Sequence, residues 1–184
     1  MNIEKIVNEI QRVTRNIKPK DILAFTDTVN KHQRIYVFGE GRSGLILKSF
    51  AMRLARLGKT VYVVGETVTP PVNGNDLLIT VSGSGETKTV LETVKICRVM
   101  RGQVICLTAT INSSLTKLSN AIILIPAELP KRLGNIYQLR ELIGVPERPA
   151  LASVFEIASL IFLEVVAFRL EKLWLTNKKQ LLPS

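Results

Sequence analysis

Leu77-Leu78-Ile79-Thr80-Val81-Ser82-Gly83-Ser84-Gly85-Glu86-Thr87 is an apolar run that breaks into glycines and hydroxyls and then enters a helical pattern. The run reads as a buried strand, and the break as a loop that delivers the chain to a helix N-terminus. Gly83 and Gly85 let the backbone curl until amide N–H groups converge, while the following helix adds unpaired donors and the positive end of its dipole. Ser82, Ser84 and Thr87 bring hydroxyls to the same nest. The loop holds no lysine and does not fit G-x-x-x-x-G-K-[ST], the pattern that supports a Mg-nucleotide. It suits a monophosphate without a metal.

Outward from this stretch the chain alternates. Strand-like runs at Arg34–Phe38, Thr60–Val64, Gln103–Leu107 and Ala121–Ile125 are apolar on both faces, as buried parallel strands are. Helical patterns fill the gaps from about Ser43 to Leu57, stopped by Gly58, and from about Glu86 to Arg101, stopped by Gly102. A shorter helix begins near Asn112–Ser114, whose side chains can cap it. Parallel strands need right-handed crossovers, so the alternation predicts an α/β fold with a doubly wound five-stranded parallel sheet. Ligands of such sheets bind at the carboxyl ends of the strands. That edge carries the loops Gly39–Gly44, Gly65–Thr69 and Ser82–Thr87.

Before the first strand, Ile3, Ile6, Val7, Ile10, Val13 and Ile17 recur at helical spacing, and Ile22, Leu23, Phe25 and Val29 do so after Pro19. These two amphipathic helices pack on the sheet layers or on a partner subunit. The apolar stretch Ala150–Leu170 predicts a long C-terminal helix, and its Glu156, Glu164 and Arg169 argue against a membrane span. Glu164 falls eight residues beyond Glu156, about 80° around that helix, and is expected to pair with a basic residue. The 184 residues divide as one domain: helices for packing and oligomerisation over 1–32, the α/β core over 33–126, a loop or lid over 127–149 with a short helix near Ile136–Leu142, the C-terminal helix over 150–176 and a tail over 177–184.

A net charge of +10 favours anionic ligands, but the basic residues are scattered and lack aromatic interleaving, so nucleic acid is not expected as a partner. Cys97 and Cys106 have neither metal-ligand nor redox spacing and read as buried thiols of a reduced, cytoplasmic protein. No secretory pattern opens the chain.

Gly39-Glu40-Gly41-Arg42-Ser43-Gly44 matches G-x-G-x-x-G between a strand and a helix, with Glu66 where a ribose-binding acid would sit. A dinucleotide site is therefore an alternative. Arg42 and Ser43 crowd such a loop, however, and two polar loops on one crevice suit a small phosphorylated ligand better.

The runs Phe38–Gly44 (F-G-E-G-R-S-G), Phe50–Leu54 (F-A-M-R-L), Val64–Thr67 (V-G-E-T) and Ser82–Thr87 (S-G-S-G-E-T) resemble the sugar isomerase (SIS) domain family. Within it the likeness is to the 6-phospho-3-hexuloisomerases, which interconvert 3-hexulose 6-phosphate and fructose 6-phosphate. The resemblance covers about Arg34 to Ile125 and resumes from Phe155-Glu156 through Val166. It implies flavodoxin-type strand order, a homodimer or homotetramer, a sugar-phosphate ligand and no cofactor.

By that resemblance Ser82, Gly83, Ser84, Gly85 and Thr87 hold the phosphate, with Gly41 and Ser43 helping from the first loop. Arg42 contacts the phosphate or the sugar hydroxyls, and Glu156 is the acid/base. Moving a carbonyl from C3 to C2 takes a proton from one carbon and returns it to its neighbour through an enediolate. One carboxylate can do both steps if burial raises its pKa. Glu40, Glu66 and Glu86 are loop-ordering groups or sugar contacts. The family's C-terminal histidine is missing here, Gln180 standing in that place, and the sole histidine, His32, precedes the first strand. The turn before Glu156 is also altered, to Ala150-Leu151-Ala152-Ser153. A sugar-phosphate sensor without catalysis is the second reading, and a dinucleotide-binding protein the third.

Overall fold

The computed structural model describes residues 3–129 and 152–181. Two helices, α1 (Ile3–Arg15) and α2 (Pro19–Lys31), lead into β1 (Arg34–Phe38), α3 (Gly41–Arg56), β2 (Thr60–Val63), β3 (Leu77–Val81), α4 (Lys88–Val99), β4 (Gln103–Thr108), α5 (Ser114–Leu118) and β5 (Ala121–Leu124). The C-terminal helix, α6, runs Ala152–Leu181 and takes in part of the stretch expected as a tail. The expected lid from residue 130 onward, its short helix near Ile136–Leu142 and the side chain of Gln180 lie outside the described residues.

All five strands are parallel, in the order β2-β1-β3-β4-β5, so the expected flavodoxin-type order is present. The order reverses between β1 and β3, and the carboxyl edge at such a reversal is where sheets of this kind bind ligands. Strand side chains alternate between two apolar layers. Ile35, Val37, Ile79 and Leu107 face the layer that holds α1, α2, α3 and α6, through Val13, Phe25, Phe50 and Phe162. Tyr36, Leu78, Val104 and Cys106 face α4 and α5, through Val90, Val94 and Leu115. The central strand β3 is buried along its whole length, which is why its sequence shows no polar alternation.

Helix ends follow local chemistry. Pro19 opens α2 with its φ already set for the helix. α3 ends in a Schellman motif, with Gly58 N donating to the Ala55 carbonyl at 3.0 Å, Lys59 N to Leu54 at 3.1 Å, and Gly58 at φ +81°. α4 ends the same way, but one residue before the expected stop. Arg101, at φ +64°, holds the left-handed position, and Gly102 N donates to the Cys97 carbonyl at 2.9 Å. Gly102 is glycine for space: a Cβ there would lie 2.6 Å from Cys97 Sγ. α4 also starts later than the expected Glu86, because the loop takes every residue through Thr87.

The Thr69–Asp76 connection is fastened at the amino edge. Arg34 meets the buried Asp76 carboxylate at 2.8 Å and donates to the Pro71 carbonyl. Tyr36 OH donates to the Pro70 and Pro71 carbonyls. Among the described residues no helix is long and apolar enough to cross a membrane.

Candidate active site

The serine loop is a self-bonded turn held from outside. Gly85 N donates to the Ser82 carbonyl at 3.1 Å and to Ser82 Oγ at 3.2 Å, closing the turn. The Ser82 and Thr87 hydroxyls lie 2.9 Å apart, and Glu86 N donates to Ser84 Oγ at 3.1 Å. Thr87 is the N-cap residue of α4, yet its side chain makes no capping bond there. Thr87 therefore does not occupy the first-turn amides of α4, the donors that anions seek at helix N-termini. Gly85 sits at φ +66°, and a Cβ there would fall 2.1 Å from Ser113 Oγ, so no side chain fits.

Support comes from the stretch after β4, which sequence reasoning passed over. The Gly83 carbonyl accepts from Ala109 N and Thr108 Oγ1 at 3.0 Å each and from Thr110 Oγ1 at 3.2 Å. The Gly85 carbonyl accepts from Leu115 N, and Glu86 Oε1 from Ser114 N at 2.7 Å. Glu86 thus ties the serine loop to the start of α5, whose N-cap Ser113 exchanges bonds with Thr116. The signal was present in the chain: Thr108–Ser114 follows a strand, and strand carboxyl ends are where ligands bind.

The first loop adjoins the second. A Cβ on Gly39 would lie 3.2 Å from the Val81 carbonyl, and one on Gly44 only 2.3 Å from the Gly39 carbonyl. The outer glycines of G-x-G-x-x-G therefore let α3 start hard against β1. Glu40 is the N-cap residue of α3 and makes no side-chain capping bond. Gly41 takes φ +52°, and Ser43 is buried at the helix start.

Glu156 joins these loops from the other end of the chain. It stands on the second turn of α6 directly after Phe155, whose ring would lie 3.3 Å from a Cβ on Gly83. Arg42 Nη2 reaches its carboxylate at 3.6 Å, with the Glu156 side chain 19% exposed and that of Arg42 48%. The structure thus brings together Arg42, Glu156 and the serine loop. Eight residues further on, Glu164 pairs with Arg53 of α3 at 3.6 Å, as expected of a partnered carboxylate.

Glu66 stands apart from this group. It lies 3.9 Å from Lys48, and both line a cleft of about 210 Å³ with Gly39, Gly44 and Gly65 beside β2. Lys48 is six positions past Arg42, about 120° around α3, so the cleft opens on another flank of that helix. His32 sits before β1, its Nδ1 2.8 Å from the Thr28 carbonyl, at the opposite edge of the sheet from the loops. No cluster of three or more His, Cys, Asp or Glu suited to a metal occurs among the described residues. Burial pushes the Cys97 and Cys106 thiols up to about 11, so neither is a thiolate at neutral pH.

The SIS domain family profile matches residues 28–139. This chain belongs to the SIS domain family. The 3-hexulose-6-phosphate isomerase of Bacillus subtilis is 33% identical to it over 91% of this chain and 86% of that protein. A crystal structure of a Methanococcus jannaschii protein, from which a 3-hexulose-6-phosphate isomerase function was inferred, superposes with a TM-score of 0.73 at 29% identity. It covers 91% of this chain and 87% of its own. A phosphoheptose isomerase from Francisella tularensis shares the fold, with a TM-score of 0.69 at 16% identity over 94% of this chain and 100% of that one. The strand order of this SIS chain reverses between β1 and β3, the place where sheets of this kind commonly bind ligands.

Proposed function

We propose that this SIS protein is a metal-independent sugar-phosphate isomerase that interconverts 3-hexulose 6-phosphate and fructose 6-phosphate through an enediolate. The observation that carries the reading is the Glu156 carboxylate, 3.6 Å from Arg42 and set beside a phosphate-type loop through the Phe155–Gly83 contact. The Bacillus subtilis relative carries the corresponding name.

In this account the phosphate rests on the loop amides around Gly83 and Gly85, on the α4 N-terminus, and on Ser43, Ser82, Ser84 and Thr87. The Ser82–Thr87 bond opens so that both hydroxyls can donate to it. Glu156 then takes the proton from C2 of the 3-ketose. The electron pair left behind forms the C2–C3 double bond, and Arg42 stabilises the enediolate oxygen. Returning the proton to C3, with the hydroxyl proton passing from O2 to O3, leaves the ketone at C2. Nothing is oxidised or reduced overall. Glu40 is a sugar-side or loop-ordering group, Glu86 orders the loop, and Glu66 orders the neighbouring Gly65 loop beside Lys48.

The protein is proposed to act in the cytoplasm, where its buried free thiols stay reduced. It is proposed to work as a homodimer or homotetramer, because α1 and α6 leave apolar side chains in solvent, Ile3 at 81% and Phe168 at 54% exposed. The test is conversion of 3-hexulose 6-phosphate by purified protein in EDTA, followed by NMR, with the mass of the same sample read by sedimentation. Fructose 6-phosphate should accumulate and the mass should be that of two or four chains. Binding of the sugar phosphate without turnover would replace the isomerase by a sensor.

A further inference from the structure

Ser159 of α6 is fully buried at 0% exposure, and its Oγ has no hydrogen-bond partner among the described residues. That is unusual for a helical serine. Such a side chain ordinarily donates to the carbonyl four residues back, here that of Phe155, and a dry hydroxyl left without a partner is costly. A buried polar atom that forgoes its local acceptor calls for another one.

Helix geometry sets one charged acceptor within reach. Glu156 and Ser159 are three residues apart on one continuous helix, so their Cβ atoms are about 5–6 Å apart on adjoining faces. The glutamate side chain has three rotatable bonds and can turn its carboxylate down onto Oγ. In the structure that carboxylate lies 3.6 Å from Arg42 of α3. Arg42 is the charged group that α3 sets against it. The next basic residue of α3 to face α6, Arg53, is engaged by Glu164 and Glu171. The serine loop meets this end of α6 through Gly83 against the Phe155 ring, and α2 meets it through Phe25 against Phe162. α1 adds the buried Val13 to the same layer.

We propose that Ser159 is a positioning residue for Glu156, whose hydroxyl takes the carboxylate when Arg42 turns to a bound ligand. The inference rests on Glu156 being the base. A cation held against a base weakens it, and an arginine cannot serve an enediolate oxygen while it is spent on the glutamate. A neutral hydroxyl one helical turn away can hold the carboxylate in place at a smaller cost in basicity.

The test is a pH titration of glutamate side-chain carboxyls by 13C NMR in the full-length protein, with Glu156 assigned from the signal lost in Glu156→Gln. Arg42→Gln mimics the departure of the arginine without any ligand. In that background Ser159→Ala should raise the Glu156 midpoint by about half a unit to one unit, because a donor to the charged form is lost. In the otherwise unchanged protein the same substitution should move it less. Ser159→Cys keeps the volume but lacks a strong donor, and should behave like Ala even if the Ala variant packs poorly. Ser159→Thr should restore the midpoint. Superimposable Glu156 titrations for Arg42→Gln with and without Ser159→Cys would overturn the proposal. The shift without any isomerase activity would uphold the contact while removing the isomerase reading.

Discussion

Gly85 shows how little freedom a single position in this site has. Its φ of +66° disfavours any side chain, and Ser113 Oγ occupies the place a Cβ would take. Buried single residues matter equally for stability. Cys97 and Cys106 have thiol pKa values raised by burial from 9.0 to about 11. A group whose pKa is higher folded than unfolded lends stability that is complete below the unfolded value and is lost as pH rises through the folded one. The fall belongs to the window from about pH 9 to 11, and each thiol accounts for at most about 3 kcal/mol of it. Urea melts of the protein and of Cys97→Ala/Cys106→Ala across that window check this. The variant should lose stability less steeply with pH, and parallel slopes would show that the thiols stay out of the linkage.

At the scale of elements, the end of α4 separates what local sequence can reveal from what it cannot. Glycine after a helical pattern announced both the α3 and the α4 stops, and at Gly58 the left-handed residue and the glycine coincide. At α4 the left-handed position falls on Arg101, and Gly102 is needed because Cys97 and Val72 pack against it. That reason is tertiary and has no local signature. A non-glycine residue in the left-handed region costs about 1–2 kcal/mol, part of which glycine gives back through its freer unfolded chain. Arg101→Gly should therefore raise stability by about 1 kcal/mol, seen as a higher urea midpoint at unchanged m. A lower midpoint would mean that the Arg101 side chain makes up for its strain. The buried run of β3 and the stripe at Ile10, Val13 and Ile17 were readable because burial on both faces, or on one, imprints directly on residue type. The support that Thr108, Thr110 and Ser114 give to the serine loop was not, because it depends on which loop lies beside which.

At the scale of the molecule, the sheet order brings together what the chain keeps far apart. The serine loop could be read locally as an anion seat, since glycines and hydroxyls before a helix make one wherever they occur. The nearness of Arg42 to Glu156 could not be read from spacing. It arises because α3 and α6 share one face of the sheet and both begin at its carboxyl edge. The resemblance pointed to both residues, and the fold supplies the contact. Of the other carboxylates expected on that edge, Glu86 is tied to α5 and Glu66 lies beside Lys48 on another flank of α3. Glu40 stands at the start of α3, and Glu156 is the carboxylate that α6 brings to Arg42. The central claim is that it moves the substrate proton, and the direct measurement is kcat for Glu156→Gln alongside its affinity for fructose 6-phosphate. The account predicts that kcat falls by roughly 10²–10⁴-fold, the usual worth of a general base, with the dissociation constant little changed. A Glu156→Gln protein that turns over within a few fold of the unaltered one would contradict it.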